Sequence, residues 1–277
     1  LIYSNHKDHN VVNNSVESAK KINKQRFVNA VLRNFLRNKV ELIQIFKKNK
    51  FFLPKWWKAE ILKNKNFNYD DYVVFAKHKP PLTIRLNFID KNSYIKLIEK
   101  KGIAYTVKSD KAISFQKAVP VNHVPLFNEG SVSVQDFGAQ KVLELIKLQK
   151  GSKVLDACAS PGGKTIQILE NDVALTALDI NEKRINLIKE NLKRVGKNAK
   201  VIKADVRKLD TWWDGEKFDS ILLDVPCSSS GVIKRNPDIR FSRKKKELLD
   251  LLNLQNDILN CAWKILKENG TLIYSTC

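Results

Sequence analysis

The chain has 277 residues, 43% of them hydrophobic, enough for two or three domains with at least one sizeable core, and no apolar run reaches the length of a membrane span. Its net charge of +21 is uneven: residues 1–125 carry 25 Lys and Arg against 9 Asp and Glu, a net of +16, and residues 126–277 carry 25 against 20, a net of +5. A basic front joined to a nearly balanced back implies a nucleic-acid-binding part and a small-molecule part.

Residues 11–47 are helical in pattern. Phe27, Val28, Val31, Leu32, Phe35 and Leu36 recur at helix spacing, with Arg26, Arg33, Asn34 and Arg37 on the other faces. Alone the segment has too few partners to form a core. Residues 48–70 interleave Phe51, Phe52, Trp56, Trp57 and Phe67 with Lys55, Lys58, Lys63 and Lys65. Such aromatics can stack nucleobases, although packing one helix onto its neighbour is the simpler reading. Pro54 suits the first turn of that helix. Pro80-Pro81 then breaks the chain, and Leu82–Asn87 alternates as a strand should. A helix from Ser93 to Lys101, Gly102, and a second strand from Ile103 to Val107 complete a β-α-β pattern, read as a small α+β module. Arg85, a lone arginine on a strand, is expected at the surface, with contact to RNA as the alternative.

Gly130–Asp136 leads into a helix expected from Phe137 to Leu148, which Gly151 ends. Beyond it, strands at 154–158, 173–179, 201–204, 220–224 and 271–276 alternate with helices at 164–170, 181–195 and 244–267. This order predicts an α/β fold: a parallel, doubly wound, Rossmann-like sheet with its ligands at the strand C-termini.

The first strand runs into Val154-Leu-Asp-Ala-Cys-Ala-Ser-Pro-Gly-Gly-Lys-Thr165. Pro161, Gly162 and Gly163 make a loop without side-chain bulk, so that backbone approaches a ligand closely before a helix begins. An ATPase phosphate loop would need a glycine where Cys158 stands, and the hydride-transfer fingerprint G-x-G-x-x-G is absent. Asp156, which closes the strand, would repel phosphates but suits a cationic, hydroxyl-bearing ligand. S-adenosylmethionine has a sulfonium, an amino group and ribose hydroxyls, and no phosphate.

Asp156, Asp179, Asp205 and Asp224 each close a strand at the same edge of the sheet. Asp179, 23 residues after Asp156, is placed to accept both ribose hydroxyls, and Asp205 to accept from an adenine amino group. The four cysteines form no C-x-x-C pair and all four histidines lie at or before His123, so neither zinc nor a disulfide framework is expected. Cys158 and Cys261 read as structural. Cys227 and Cys277 each follow the end of a strand, which brings two thiols to one crevice beside the cofactor. Methylation of a pyrimidine carbon needs such a thiol: C5 of cytosine attacks a methyl sulfonium only after a thiolate has added at C6. An acid near N3, here Asp224, helps that addition, the thiol must be partly ionised, and the base must leave its stack.

With these residues in hand the chain resembles the bacterial RNA 5-methylcytosine methyltransferases of the Sun/Fmu type. The resemblance rests on Asp156–Thr165, on Asp224-Val-Pro-Cys-Ser-Ser-Ser-Gly231 with Asn236-Pro-Asp-Ile-Arg240, and on Tyr274-Ser-Thr-Cys277. At the front, Gln25–Arg33 resembles the last part of the NusB-like domain of that family, and Leu82–Asn87 and Val132–Asp136 resemble its linking segments. It implies three parts: residues 1–47, the end of a NusB-like helical RNA-binding domain; 48–125, linker helices and the small RNA-binding module; and 126–277, the methyltransferase domain, cut after its fifth strand. It further implies methyl transfer from S-adenosylmethionine to C5 of a cytosine in 16S ribosomal RNA, cytosine 967 in that family. Cys277 is then the nucleophile and Cys227 assists product release. Cys158, Ala159, Ser160, Pro161, Gly162, Gly163, Lys164, Asp179, Asp205 and Asp224 hold the cofactor or line its site, with Ser160 where the family more often has Ala.

The expected protein is a cytoplasmic monomer without a metal. Because it lacks methionine, starts at Leu1 and stops directly after a strand, it is expected to be a fragment. The same chemistry on transfer RNA or another ribosomal site is the alternative among enzymes. An RNA-binding factor with a dead methyltransferase domain is the alternative outside them.

Overall fold

The computed structural model describes residues 1–2, 5–48, 53–146 and 148–277. Two compact units, Leu1–Lys55 and Trp56–Cys277, make up the chain. Phe51 and Phe52 of the aromatic–lysine stretch lie outside the described residues.

The first unit contains helices α1 (Asp8–Ser18), α2 (Gln25–Arg37) and α3 (Lys39–Lys48). Helix α1 packs on α2, burying Val12, and Lys39 Nζ donates to Asp8 at 2.9 Å. The apolar stripe anticipated on α2 is only partly covered: Val28, Leu32, Phe35 and Leu36 are half-buried, while Phe27 and Val31 are exposed.

In the second unit, helices α4 (Lys55–Lys63) and α5 (Tyr69–Lys77) come first. Asn68 caps α5, its side chain accepting from the amides of Asp70 and Asp71, two of the donors a helix start leaves unpaired. A small sheet follows, built from β1 (Leu82–Leu86), β2 (Tyr105–Val107), β3 (Ala112–Phe115) and β4 (Val132–Val134), with helix α6 (Lys91–Lys100) between β1 and β2. The strand order is β2-β3-β1-β4 and every pair is antiparallel, so β1 and β2 of the anticipated β-α-β pattern are separated by β3. That four-residue strand is too short to show an alternation of its own in the sequence. Tyr94 and Ile98 of α6 pack on Ile84, Leu86, Ile113, Phe115 and Val132 to form this sheet's core.

Arg85 is not a surface residue. It is 4% exposed, donates to Asn87 Oδ1 at 3.0 Å and pairs with Glu170, which lies beyond the sheet in the next layer of the unit. A buried guanidinium requires such partners, and strand position alone does not reveal a partner 85 residues away.

The helix expected over 137–148 is shorter. Helix α7 (Phe137–Lys141) tightens into a 3₁₀ turn ending at Leu145, and Ile146 is extended, turning the chain toward the large sheet. That sheet is built from β5 (Lys153–Asp156), α8 (Gly163–Ile168), β6 (Ala174–Asp179), α9 (Glu182–Arg194), β7 (Lys200–Lys203), β8 (Phe218–Asp224), α10 (Ile239–Ser242), α11 (Lys245–Lys264) and β9 (Leu266–Ser275). All five strands are parallel, in the order β7-β6-β5-β8-β9. Strand β9 starts earlier than its apolar run suggests, because Leu266 already pairs with Phe218 before the register shifts.

Alternate residues of each strand feed opposite cores, as the pleat requires. Val154, Ala177 and Leu222 enter one core with Ile166, Ile185 and Ile188. Leu155, Leu178, Ile221 and Leu223 enter the other with Trp212, Ile258 and Ala262. Both faces are therefore covered, the arrangement expected of a parallel sheet. The strand order reverses between β5 and its neighbours β6 and β8, so a crevice opens at their C-terminal ends. No described helix is long and apolar enough to cross a membrane.

Candidate active site

The loop from β5 to α8 forms one side of that crevice. Gly162 has φ +99°, a conformation that side chains disfavour, and a β-carbon there would lie 3.5 Å from the Cα of Ile188. Cys158, Ala159, Ser160, Pro161, Gly163 and Lys164 line a cavity of about 510 Å³, together with Asp156, Asp224 and residues of the segment before α7. Gly162 itself turns the loop from behind the lining.

The acids divide. Asp156 and Asp224 line the cavity, whereas Asp179 and Asp205 lie outside its lining. Asp156 is fully buried; its Oδ2 accepts from Thr165 Oγ1 at 2.7 Å and its Oδ1 has no partner among the described residues. Burial, with Asp224 and Asp179 nearby, pushes this carboxyl up to about 7. An orphaned buried oxygen is costly unless a ligand donates to it. Asp179 is buried and accepts from the amide of Asn181 at 2.9 Å, which fixes its rotamer at the end of β6. Asp205 accepts from Arg207 through Nε at 3.0 Å and a terminal nitrogen at 2.7 Å, and this pairing holds its carboxyl below the usual range. Its second oxygen is thus already engaged by a neighbour that the sequence reading did not weigh. The Cys158 thiol is pushed up to about 12, chiefly by burial and then by the surrounding acids, which disfavours its thiolate.

Asp224 pairs with Lys164 at 2.5 Å, which joins the end of β8 to the start of α8 across the crevice. Beyond Asp224 the chain enters the Pro-Cys loop. Because β8 and β9 are parallel neighbours in register from Ser220↔Thr271 to Asp224↔Ser275, the cysteines beyond their ends meet. Cys227 and Cys277 are joined as a disulfide with their Cα atoms 6.5 Å apart. The sequence reading anticipated two thiols in one crevice and no disulfide. They lie 50 residues apart, and only the strand pairing brings them within bonding distance.

The loop that carries Cys227 is held on three sides. Pro226 O accepts from Gln255 Nε2 at 2.7 Å, and Ser230 O accepts from Tyr72 Oη at 3.1 Å. Gly231 lies against the backbone of Cys277: a β-carbon there would overlap the Cys277 carbonyl oxygen and stand 2.9 Å from its carbon. Arg235, which motif reading passed over, donates from Nε to Asp136 at 2.8 Å and from Nη2 to Pro81 O at 3.1 Å. Its place directly before Asn236-Pro237 in a quoted motif was the available signal.

Known proteins resemble this chain. The family model described as 16S rRNA methyltransferase RsmB/F matches residues 143–277. Ribosomal RNA small subunit methyltransferase B of Photorhabdus laumondii is 40% identical over 258 residues, covering 90% of this chain and 60% of the relative. The protein of the same description from Klebsiella pneumoniae is 35% identical over 288 residues, covering all of this chain and 67% of the relative. The chain thus spans about three fifths to two thirds of the length of these relatives. Among solved structures, NSun6 from Pyrococcus horikoshii, crystallised with SFG, superposes with a TM-score of 0.72 at 20% identity, over 81% of this chain and 83% of its own. That likeness is one of fold.

Proposed function

The chain belongs to the RsmB/F family of 16S rRNA methyltransferases, and from that premise we propose that it methylates C5 of a cytosine in 16S ribosomal RNA, with S-adenosylmethionine as cofactor and Cys277 as nucleophile. The observation that carries this reading is the meeting of Cys227 and Cys277 beyond the ends of β8 and β9, next to the crevice lined by Asp224 and Lys164.

The residues present suit the cofactor. The unpartnered Asp156 Oδ1 offers an acceptor to a cationic or hydroxyl-bearing ligand, the loop 158–164 lets backbone approach it, and Asp179 stands at the end of the neighbouring strand for the ribose. When bound, S-adenosylmethionine supplies an electrophilic methyl group. Asp205 would meet the adenine end with a carboxylate that Arg207 already shares.

On the RNA side, the target cytosine leaves its stack and enters beside Cys277. The Cys277 thiolate forms a bond to C6, and the electrons of the C5–C6 double bond move to C5, which becomes the nucleophilic carbon. Asp224 holds a proton at N3 and so stabilises the ring during addition. After C5 has gained its methyl group, the C5 proton passes to a base, the S–C6 bond breaks and the double bond returns. Cys227, next to Cys277, assists this release. The cycle requires the two sulfurs to be thiols.

Bisulfite sequencing of total RNA from cells with and without the intact gene tests the proposal. One 16S cytosine, position 967 by resemblance, protected only when the gene is present is the expected result. Protection in transfer RNA would move the same chemistry to another substrate, and no difference anywhere would sink the enzyme reading.

A further inference from the structure

A second cavity lies outside the cofactor crevice. Its volume is about 290 Å³, near the lower limit of roughly 300 Å³ for small-molecule pockets, so it suits one flat ring system. Trp56, Trp57, Phe67 and Tyr72 supply aromatic faces and edges, and Ser228 and Ser230 of the Pro-Cys loop supply hydroxyls. The two tryptophan rings stack with centroids 5.5 Å apart. Trp57 and Tyr72 are buried as packing residues, in line with the simpler reading of this stretch, but Trp56 is only half-buried and keeps part of its ring open to the cavity.

We infer that this cavity holds an unstacked nucleobase of the RNA substrate, next to the cytosine that is methylated. The inference rests on the methyltransferase reading above for which base is the target. Three observations carry it. The pocket shares Ser228 and Ser230 with the loop that bears Cys227, so a base in it belongs to a nucleotide neighbouring the target. Tyr72 Oη bonds Ser230 O, which makes one wall of the pocket a direct support of that loop. The surroundings carry a net positive charge: Arg243 lines the cavity with Glu60, and residues 234–246 contain seven Lys and Arg against Asp238 alone, of which Arg235, Arg243 and Lys245 pair with Asp136, Glu247 and Glu60. Stacking faces beside a basic track are what single-stranded nucleic acid requires. An apolar peptide would fill the faces but make no use of the net positive charge of that track.

The test uses the whole chain and a 16S rRNA hairpin containing the target cytosine, with 4-thiouridine placed in turn at the nucleotides on either side. Irradiation is expected to cross-link one flanking position to a peptide containing Trp56 or Tyr72. Trp56→Ala is expected to raise KM for the hairpin about tenfold with kcat changed less than twofold, from the worth of one stacked base. Asn64→Trp changes an exposed residue at the pocket wall and fills the cavity without removing packing; it is expected to raise KM to a similar degree. Cross-links confined to other peptides, or both variants with unaltered KM, would overturn the inference while leaving methylation intact. If the wild-type chain methylates no RNA, the functional reading fails separately, and the cross-link with binding affinity still decides whether the pocket takes a base.

Discussion

Gly231 and Cys277 touch backbone to backbone, although the one follows β8 and the other β9. No side chain fits between them, so the Pro-Cys loop can close down on the carbonyl of the second cysteine. Gly231→Ala must push the two loops apart. A displacement near 1 Å at reacting groups costs on the order of 10²-fold in rate. The variant should melt within a few degrees of the wild type yet lose about that factor in kcat. Unchanged kcat would show that the contact does not set the positions of the thiols.

The joined sulfurs predict a dependence on reductant. The oxidised chain, denatured, should titrate two thiols, Cys158 and Cys261, and four after reduction. Methyl transfer should be absent before reduction and present after it. Activity of fully oxidised protein would exclude Cys277 as the nucleophile.

The two cysteines are expected to fail differently when replaced. Cys277→Ser should abolish both turnover and any covalent adduct with RNA. Cys227→Ser should retain addition but stall release, so that a protein–RNA species persists on denaturing gels. The reverse pattern would exchange their roles.

Asp156 should make stability pH-dependent. Its folded pKa of about 7 lies above the unfolded value near 4, so the folded chain holds this proton more tightly. The contribution is full below about pH 4 and is lost as pH rises through about 7. Asp156→Asn keeps an acceptor for Thr165 and carries no charge. Relative to the wild type it should gain on the order of 2 kcal/mol between pH 5 and 8, read from urea midpoints at both pH values. A gap that does not widen with pH would mean that Asp156 is ionised at little cost.

Glu170→Ala leaves the Arg85 guanidinium buried with Asn87 as its remaining side-chain acceptor. Breaking a buried pair from one side costs about 3 kcal/mol. Thermal unfolding should fall accordingly, and replacing both partners by apolar residues should recover part of the loss.

The large sheet was legible because each of its strands is a short apolar run with a helix or turn residues after it. The acids Asp156, Asp179 and Asp224 were legible because they close those runs. The small sheet was not, since β3 has only four residues and inserts between β1 and β2, both of which precede it in sequence. The burial of Arg85 depends on Glu170, and the engagement of Asp205 on Arg207, an exposed arginine that no periodicity marks out. The thiol pair was anticipated from strand ends, but its bonding follows from the register of β8 and β9, which alternation alone does not give.

The family-model match starts at residue 143, yet the cofactor cavity does not. Gln135, Asp136 and Ala139 form part of its wall, and they follow directly on β4, which belongs to the other sheet. Gln140 donates to Ile84 O at 3.3 Å and its carbonyl accepts from Gln167 Nε2 at 2.9 Å, so a single residue is tied to the small sheet and to helix α8, which packs on the large one. A piece beginning at 143 would therefore be a bowl with one side missing, and would lose Asp136, the anchor of Arg235. The smallest portion that keeps the bowl whole has to take the small sheet with it.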